Sequence, residues 1–219
     1  MRKGHDHMKI CILNGSPKTG KSTSELLIEY LMTFIKGNDV VIYNVCKTDL
    51  SKVQFSQIQS SEVLIFAFPL YVDSINSHLL RLLIKLENMG FSNKNITVYC
   101  MINNGFYEGW QNHVAADIMK NWCKAVGLTY GQTLGIGAGE MLPFLKDVPL
   151  GYGPNKNIGI ALQELSHNIL SLNQGDDLFT SPNWPRLLWK IASSFIFWYP
   201  KAKKNGLKRK NLYSPHSQI

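Results

Sequence analysis

Residues 9–31 read KICILNGSPKTGKSTSELLIEYL. Lys9–Leu13 is a short apolar run of the kind that forms a buried strand. Gly15–Gly20 is broken by Pro17 and Gly20 and reads as a loop. Ser22–Lys36 reads as a helix, with Leu26, Leu27, Tyr30, Leu31 and Phe34 recurring along one face. A strand, a loop and a helix in that order set free backbone N–H groups and the positive end of a helix dipole against an anion. The hydroxyls of Ser16, Ser22, Thr23 and Ser24 add donors. Gly15–Ser22 also fits G-x-x-x-x-G-K-[ST], the nucleotide P-loop. A loop that cradles one terminal phosphate uses the same features, so two kinds of ligand stay open at this point.

The rest of the chain repeats the pattern. Val40–Val45 and Val63–Phe68 read as strands, and Ser74–Asn88 as a helix with Leu79, Leu80, Leu83 and Leu86 inward. Ile96–Ile102 is a fourth strand, Gly109–Ala125 a helix, Leu128–Leu134 a fifth strand and Asn157–Leu172 a last core helix. Near-continuous apolar strands separated by amphipathic helices predict a parallel sheet covered on both faces. Five strands predict an α/β fold with a flavodoxin-like, doubly wound sheet in the order 2-1-3-4-5, its ligand at the switch between strands 1 and 3. The expected organisation is one domain over residues 8–175 and a helical, basic extension over 176–219. The opening MRKGHDHM is set aside from the fold, with Met8 read as the start.

The chain has 219 residues, 45% of them hydrophobic, enough for one sizeable core. Four cysteines lie at 11, 46, 100 and 123 with no C-x-x-C pairing, which argues against zinc or iron–sulfur ligation. Three sit in apolar runs as buried thiols, as in a reducing cytoplasm. The net charge of +8 is uneven: eight of the 23 Lys/Arg and none of the 15 Asp/Glu lie in residues 186–219. A neutral body with a basic tail does not describe a nucleic-acid-binding domain.

Which ligand the first loop serves is decided by the other strand ends. A P-loop enzyme needs an acid at the end of an apolar strand to hold Mg²⁺. EVLIFAFPLY ends in Phe-Pro-Leu-Tyr and NITVYCMINNGF in Asn-Asn-Gly-Phe; Asp49 and Asp73 stand away from such positions. An isoalloxazine ring instead needs polar backbone groups at its edge and a flat wall. FPLYVDSINSH and NNGFYEG meet that need at the ends of strands 3 and 4. Pro69 directs the chain, Leu70, Tyr71 and Val72 keep their N–H groups, Asn103 and Asn104 offer amides, and Gly105 permits close approach. Tyr71 with Phe106 or Tyr107 supplies the wall. His78 and His113 read as surface or packing residues, and Met101, Met119 and Met141 as core.

GSPKTGKSTSELL, PLYVDSINSHLL and NNGFYEGWQN resemble the three flavin loops of the NADPH-dependent FMN reductase and NAD(P)H:quinone reductase branch of flavodoxin-fold proteins, over residues 8–175. The resemblance implies phosphate contacts at Ser16, Lys18, Ser22 and Thr23. It implies ring contacts at Pro69, Leu70, Tyr71 and Val72, and at Asn103, Asn104 and Gly105. It implies a cytoplasmic, homodimeric enzyme that passes electrons from NAD(P)H through FMN to a small acceptor such as a quinone, an azo or nitro compound, or free flavin. Amides near Tyr71–Val72 and Asn104–Gly105 are expected to face the ring, with no side-chain acid or base. Lys18, Lys21 and Arg81 are candidates for a 2′-phosphate. A P-loop kinase or ATPase, and a non-enzymatic electron carrier, remain the competing readings.

Two segments lie outside these loops. GIGAGEMLPFLKDVPLGYGPNKN, residues 135–157, is a long loop expected near the flavin or at a dimer contact. In the tail, Leu187–Tyr199 reads as a short aromatic-rich helix followed by a polybasic run, Lys201–Lys210. Thirteen helical residues rise about 20 Å, less than the ~30 Å hydrocarbon core of a bilayer. The tail is thus either an interfacial helix on anionic lipid or an arm packed on its own body or on a dimer mate.

Overall fold

The computed structural model describes residues 7–18, 20–45 and 50–213. Cys46 and Asp49 lie outside them. The chain divides into two compact units, residues 1–182 and 183–219.

The first unit is a six-stranded parallel sheet in the order β2-β1-β3-β4-β5-β6. The strands are β1 (Lys9–Asn14), β2 (Asp39–Asn44), β3 (Val63–Pro69), β4 (Thr97–Asn103), β5 (Thr129–Ile136) and β6 (Leu178–Thr180). The inner strands alternate strictly between two cores, because successive side chains leave a strand on opposite faces. Ile10, Ile12, Ile65 and Met101 pack with Leu27, Leu31, Leu162 and Leu165. Cys11, Leu13, Phe66 and Cys100 pack with Phe55, Leu83, Met119 and Trp122. The helices that close the first face are α1 (Thr23–Phe34) and α5 (Lys156–Ser171). Those on the second are α2 (Lys52–Ser60), α3 (Ser77–Met89) and α4 (His113–Val126). Met101, Met119 and Met141 are buried, as expected. On α3, Leu82 takes the inward place expected of Leu80, which is 44% exposed.

Two elements go beyond the expected five-strand pattern. Helix α2 connects β2 to β3, which must cross β1 because β1 lies between them. Its start is a capping box: Ser51 Oγ accepts from Gln54 N at 3.3 Å, and Gln54 Oε1 accepts from Ser51 N at 2.8 Å. Ser51→Ala is expected to cost about 1 kcal/mol, read as a lower urea midpoint at unchanged slope.

Strand β6 is the second. It pairs with Leu134–Ile136 at the far end of β5. Asp177 aims it there, its Oδ1 accepting from Thr133 N at 2.8 Å and from the Tyr130 hydroxyl at 2.7 Å. The first unit therefore runs to Pro182 rather than to residue 175.

Cys11, Cys100 and Cys123 are buried free thiols. Burial pushes the thiols of Cys11 and Cys123 up to about 12. A thiol whose folded pKa is raised adds stability that is complete below its unfolded value near 9 and is lost as pH rises toward 12. The fold is expected to lose stability above pH 9, and these thiols to resist a disulfide-exchange reagent at pH 8 until denaturant is added.

The second unit is one helical run turned back on itself. It comprises α6 (Arg186–Ala192), a π-helical stretch (Ser193–Trp198) and α7 (Tyr199–Lys204). The Ser193 and Ser194 hydroxyls both donate to the Lys190 carbonyl, at 3.0 and 2.9 Å. That competes with the amide ladder where the helix widens. The run thus extends past the expected Tyr199 and takes in three lysines of the polybasic segment. Gly206, at φ +73, reverses the chain into a 3₁₀ turn (Arg209–Tyr213).

Candidate functional site: a cleft at the strand switch

Because the sheet is parallel, the ends of β1, β3 and β4 lie side by side at one edge, and the loops that follow them meet there. Each loop is held by named bonds. After β1, Asn14 Oδ1 accepts from Ser16 N at 3.1 Å, and the Gly15 carbonyl accepts from Asn76 Nδ2 at 3.3 Å and lies 3.0 Å from His78 Nε2. His78 therefore ties the first loop to the start of α3, a packing role. Ser22 caps α1, its Oγ accepting from Glu25 N at 3.1 Å. The N–H groups of Thr23 and Ser24 are left pointing out of the helix's first turn, as orphan donors do. Ser22, Thr23 and Ser24 are all buried.

After β3, Leu70 N donates to Asn103 O at 2.8 Å, and Tyr71 exchanges backbone bonds with Ser74. The tight turn between Tyr71 and Ser74 holds Val72 at φ 51 and Asp73 at φ 55. Two successive left-handed residues without a glycine are costly for L side chains, and for β-branched Val72 most of all. After β4, Asn104 N donates to Ile136 O at 3.0 Å. Asn103 Nδ2 donates to Ser24 Oγ at 3.0 Å, joining the third loop to the first helix.

These loops enclose a cleft of about 80 Å³. Ten of the eleven residues expected at the site line it: Ser16, Lys18, Ser22, Thr23, Pro69, Leu70, Tyr71, Asn103, Asn104 and Gly105. Val72 does not; the turn swings its side chain into solvent, 98% exposed. Phe106, Tyr107, Lys21 and Arg81 also lie outside the lining. Trp110 and His113 stack on each other at 4.8 Å away from it.

The expectation for the ring-facing amides needs correction. Leu70, Tyr71 and Asn104 spend their N–H groups on Asn103, Ser74 and Ile136. Within the Tyr71–Val72 and Asn104–Gly105 segments, the amides without a bond are those of Val72 and Gly105.

Ser24 and Glu140 complete the lining. Glu140 arrives from the loop after β5. That loop crosses the third one closely: Gly139 N donates to Asn104 O at 2.7 Å, and the Thr23 hydroxyl donates to Gly139 O at 3.0 Å. The start of that loop thus reaches the cleft, with Glu140 in its lining. Glu140 Oε1 stands 3.6 Å from Lys18 Nζ, with both side chains about half exposed. Such a pair contributes at most about 1 kcal/mol and leaves Lys18 free to turn to another anion.

Of the buried asparagine carbonyls without a partner, those of Asn76, Asn104, Asn112 and Asn155, the one on a residue that lines the cleft is Asn104. Asn104 Nδ2 donates to the Glu108 carbonyl at 3.2 Å, which fixes the orientation of the amide, and Oδ1 has no partner. A buried carbonyl oxygen without a donor marks a place for a ligand's N–H or a water.

The P-loop reading finds little support in this geometry. Lys21 is exposed and outside the cleft. The strands that flank β1 end in Asn44 and Pro69 rather than in an acid, and Asp73 is exposed on the turn. No cluster of three His, Cys, Asp or Glu able to hold a metal occurs among the described residues.

No protein-family model and no curated protein matches the chain. Solved structures do. An NADH:FMN oxidoreductase in its apo form superposes with TM-score 0.56 at 16% identity, over 73% of this chain and 88% of that one. An FMN-dependent NADH-azoreductase from Bacillus anthracis, in complex with FMN, gives 0.54 at 14%, over 73% and 98%. An NAD(P)H:quinone oxidoreductase from Methanothermobacter marburgensis gives 0.54 at 13%, over 75% and 96%. With this strand order and these neighbours, the chain has the doubly wound, flavodoxin-like α/β fold that the three oxidoreductases share.

Proposed function

We propose that this chain is an FMN-dependent oxidoreductase that takes electrons from NAD(P)H and gives them to a small acceptor such as a quinone, an azo or nitro compound, or free flavin. The observation that carries the reading is the donor set of the cleft. One end offers what a phosphate monoester needs: the orphan amides of Thr23 and Ser24, the hydroxyls of Ser16 and Ser22, and the positive end of α1. The other end offers an unpartnered acceptor, Asn104 Oδ1, and the free N–H group of the next residue, Gly105. A ring edge with an N–H next to a carbonyl, as a pyrimidine-like ring has, is the complement of that pair.

In this reading Lys18 neutralises part of the phosphate charge, leaving Glu140. Tyr71, 44% exposed at the cleft wall, would offer the ring an aromatic side chain. The Gly105 amide would stabilise negative charge gathered on the ring's edge, as preorganised dipoles do elsewhere. Bound FMN supplies the redox chemistry, accepting hydride and releasing electrons, and no side chain here acts as acid or base. Three oxidoreductases of the same fold support the assignment of this site to flavin.

Replacing Glu140 by Gln removes a carboxylate from the rim and is expected to tighten FMN severalfold in a fluorescence-quenching titration, an effect that fades at high salt.

The test is direct. The purified protein is denatured and any released chromophore identified by absorption and mass. It is then titrated with FMN, and separately with ATP and Mg²⁺. Stoichiometric FMN, bleached rapidly by NADH or NADPH, is the expected result. Flavin that NAD(P)H reduces only slowly would leave an electron carrier, and ATP–Mg²⁺ binding without flavin would return the first loop to the P-loop class.

A further inference from the structure

The second unit has a surface that the redox site does not use. Along its helical run Leu187, Leu188, Ile191, Phe195, Ile196 and Trp198 are each between 45% and 68% exposed. Arg186 and Lys190, four apart on α6, share one side of that helix. The 3₁₀ turn then folds Arg209 back onto the aromatic side. The Arg209 guanidinium lies 4.2 Å from the Tyr199 ring centre and 5.0 Å from that of Phe195. Lys201 Nζ lies 4.9 Å from the Phe197 ring centre. Large apolar side chains, aromatic rings and cations are thus interleaved on one small unit, and residues 186–219 hold eight cations and no acid.

We propose that this unit docks the protein on the surface of an anionic lipid bilayer, its apolar side chains at the level of the acyl boundary and its lysines among the phosphates. Charge decides for lipid over a protein partner of ordinary surface. A bilayer rich in acidic headgroups answers every cation at once, and it takes exposed leucine and tryptophan without needing a matching pocket. No helix among the described residues is long and apolar enough to cross a membrane, so the unit lies in the interface. The inference stands apart from the flavin assignment, since no residue of the cleft takes part in it.

The test is co-sedimentation of the full chain with vesicles of pure phosphatidylcholine, pure phosphatidylglycerol and their equal mixture, at low and at high salt. Binding is expected to phosphatidylglycerol and to the mixture but not to phosphatidylcholine, and to weaken as salt shortens the reach of the charges from about 10 Å at 0.1 M to about 3 Å at 1 M. Two full-chain variants separate the contributions. Lys203, Lys204 and Lys208 are exposed. Changing all three to Gln is expected to weaken binding about a hundredfold, at about fivefold per cation. Leu187→Ser with Ile191→Ser is expected to abolish binding while the thermal midpoint and the sedimentation coefficient stay as in the parent. Equal binding to both lipids, binding indifferent to the lysines, or no binding overturns the proposal. So does a serine variant that turns a dimer into a monomer or lowers the midpoint, because the apolar side chains would then be covering protein.

Discussion

Ser22→Asp is expected to weaken FMN binding about a thousandfold and to leave the folding of the flavin-free protein unchanged. The two halves of that result come from separate physics. Ser22 caps α1 by accepting from Glu25 N. Aspartate accepts that bond equally well, so the helix keeps its start. Yet the same side chain lines the cleft, buried between Ser16 and Thr23, where a phosphate would approach. Two like charges about 4 Å apart at an effective dielectric near 20 repel by about 4 kcal/mol, which is a factor of about a thousand. Isothermal titration with FMN and with riboflavin measures it. Riboflavin lacks the phosphate, so its affinity is expected to stay within severalfold of the parent's. Equal loss for both ligands would mean that the cleft had deformed, and no loss for either would place the phosphate away from α1.

Gly137→Ala is expected to cost more than about 3 kcal/mol, enough to leave little folded protein at 37 °C. A methyl group on Gly137 would stand 2.1 Å from Tyr107 O, 2.7 Å from Gly109 N and 2.8 Å from the Glu108 carbonyl carbon. All three are backbone atoms, so no side chain can rotate away. This is where the loops after β4 and β5 cross, and the amide of Gly137 is also bonded to Thr180 O at 2.9 Å. The control is Gly20→Ala. A methyl group there meets nothing within 4 Å, and the backbone does not need glycine's conformations. Urea denaturation should separate the two variants clearly. The contrast also bears on the first loop, since the second glycine of G-x-x-x-x-G-K-[ST] is dispensable in this geometry.

The sheet was legible because its signals are local and strong. Continuous apolar runs, each followed by a helix-period segment, leave few alternatives to a parallel sheet covered on both faces. The site was legible for a related reason: once the strand order is 2-1-3-4-5, the loops after strands 1, 3 and 4 must meet. Helix α2 was harder to see, because only Phe55 and Ile58 are buried in its nine residues. Its one clear signal is the Ser51–Gln54 pair, two residues in a polar stretch. Strand β6 is three residues long, too short to show a period, and its place is set by Asp177 reaching back to Thr133 and Tyr130. Which amides stay free at the cleft depends on partners far along the chain, such as Ile136 for Asn104. Glu140 joins the site through the same loop crossing that makes Gly137 indispensable. The turn at Val72 and Asp73 carries none of the Asn-Gly chemistry that normally announces two left-handed residues.

Strand β6 also bears on self-association. An exposed sheet edge is a row of unmet donors and acceptors, and a second sheet can extend it. Here the outermost strand beyond β5 offers three residues, Leu178–Thr180, and is followed within two positions by Pro182. Proline has no N–H to give, so the row ends almost where it begins. That blunts the edge, so a second copy meeting it there would gain few backbone bonds.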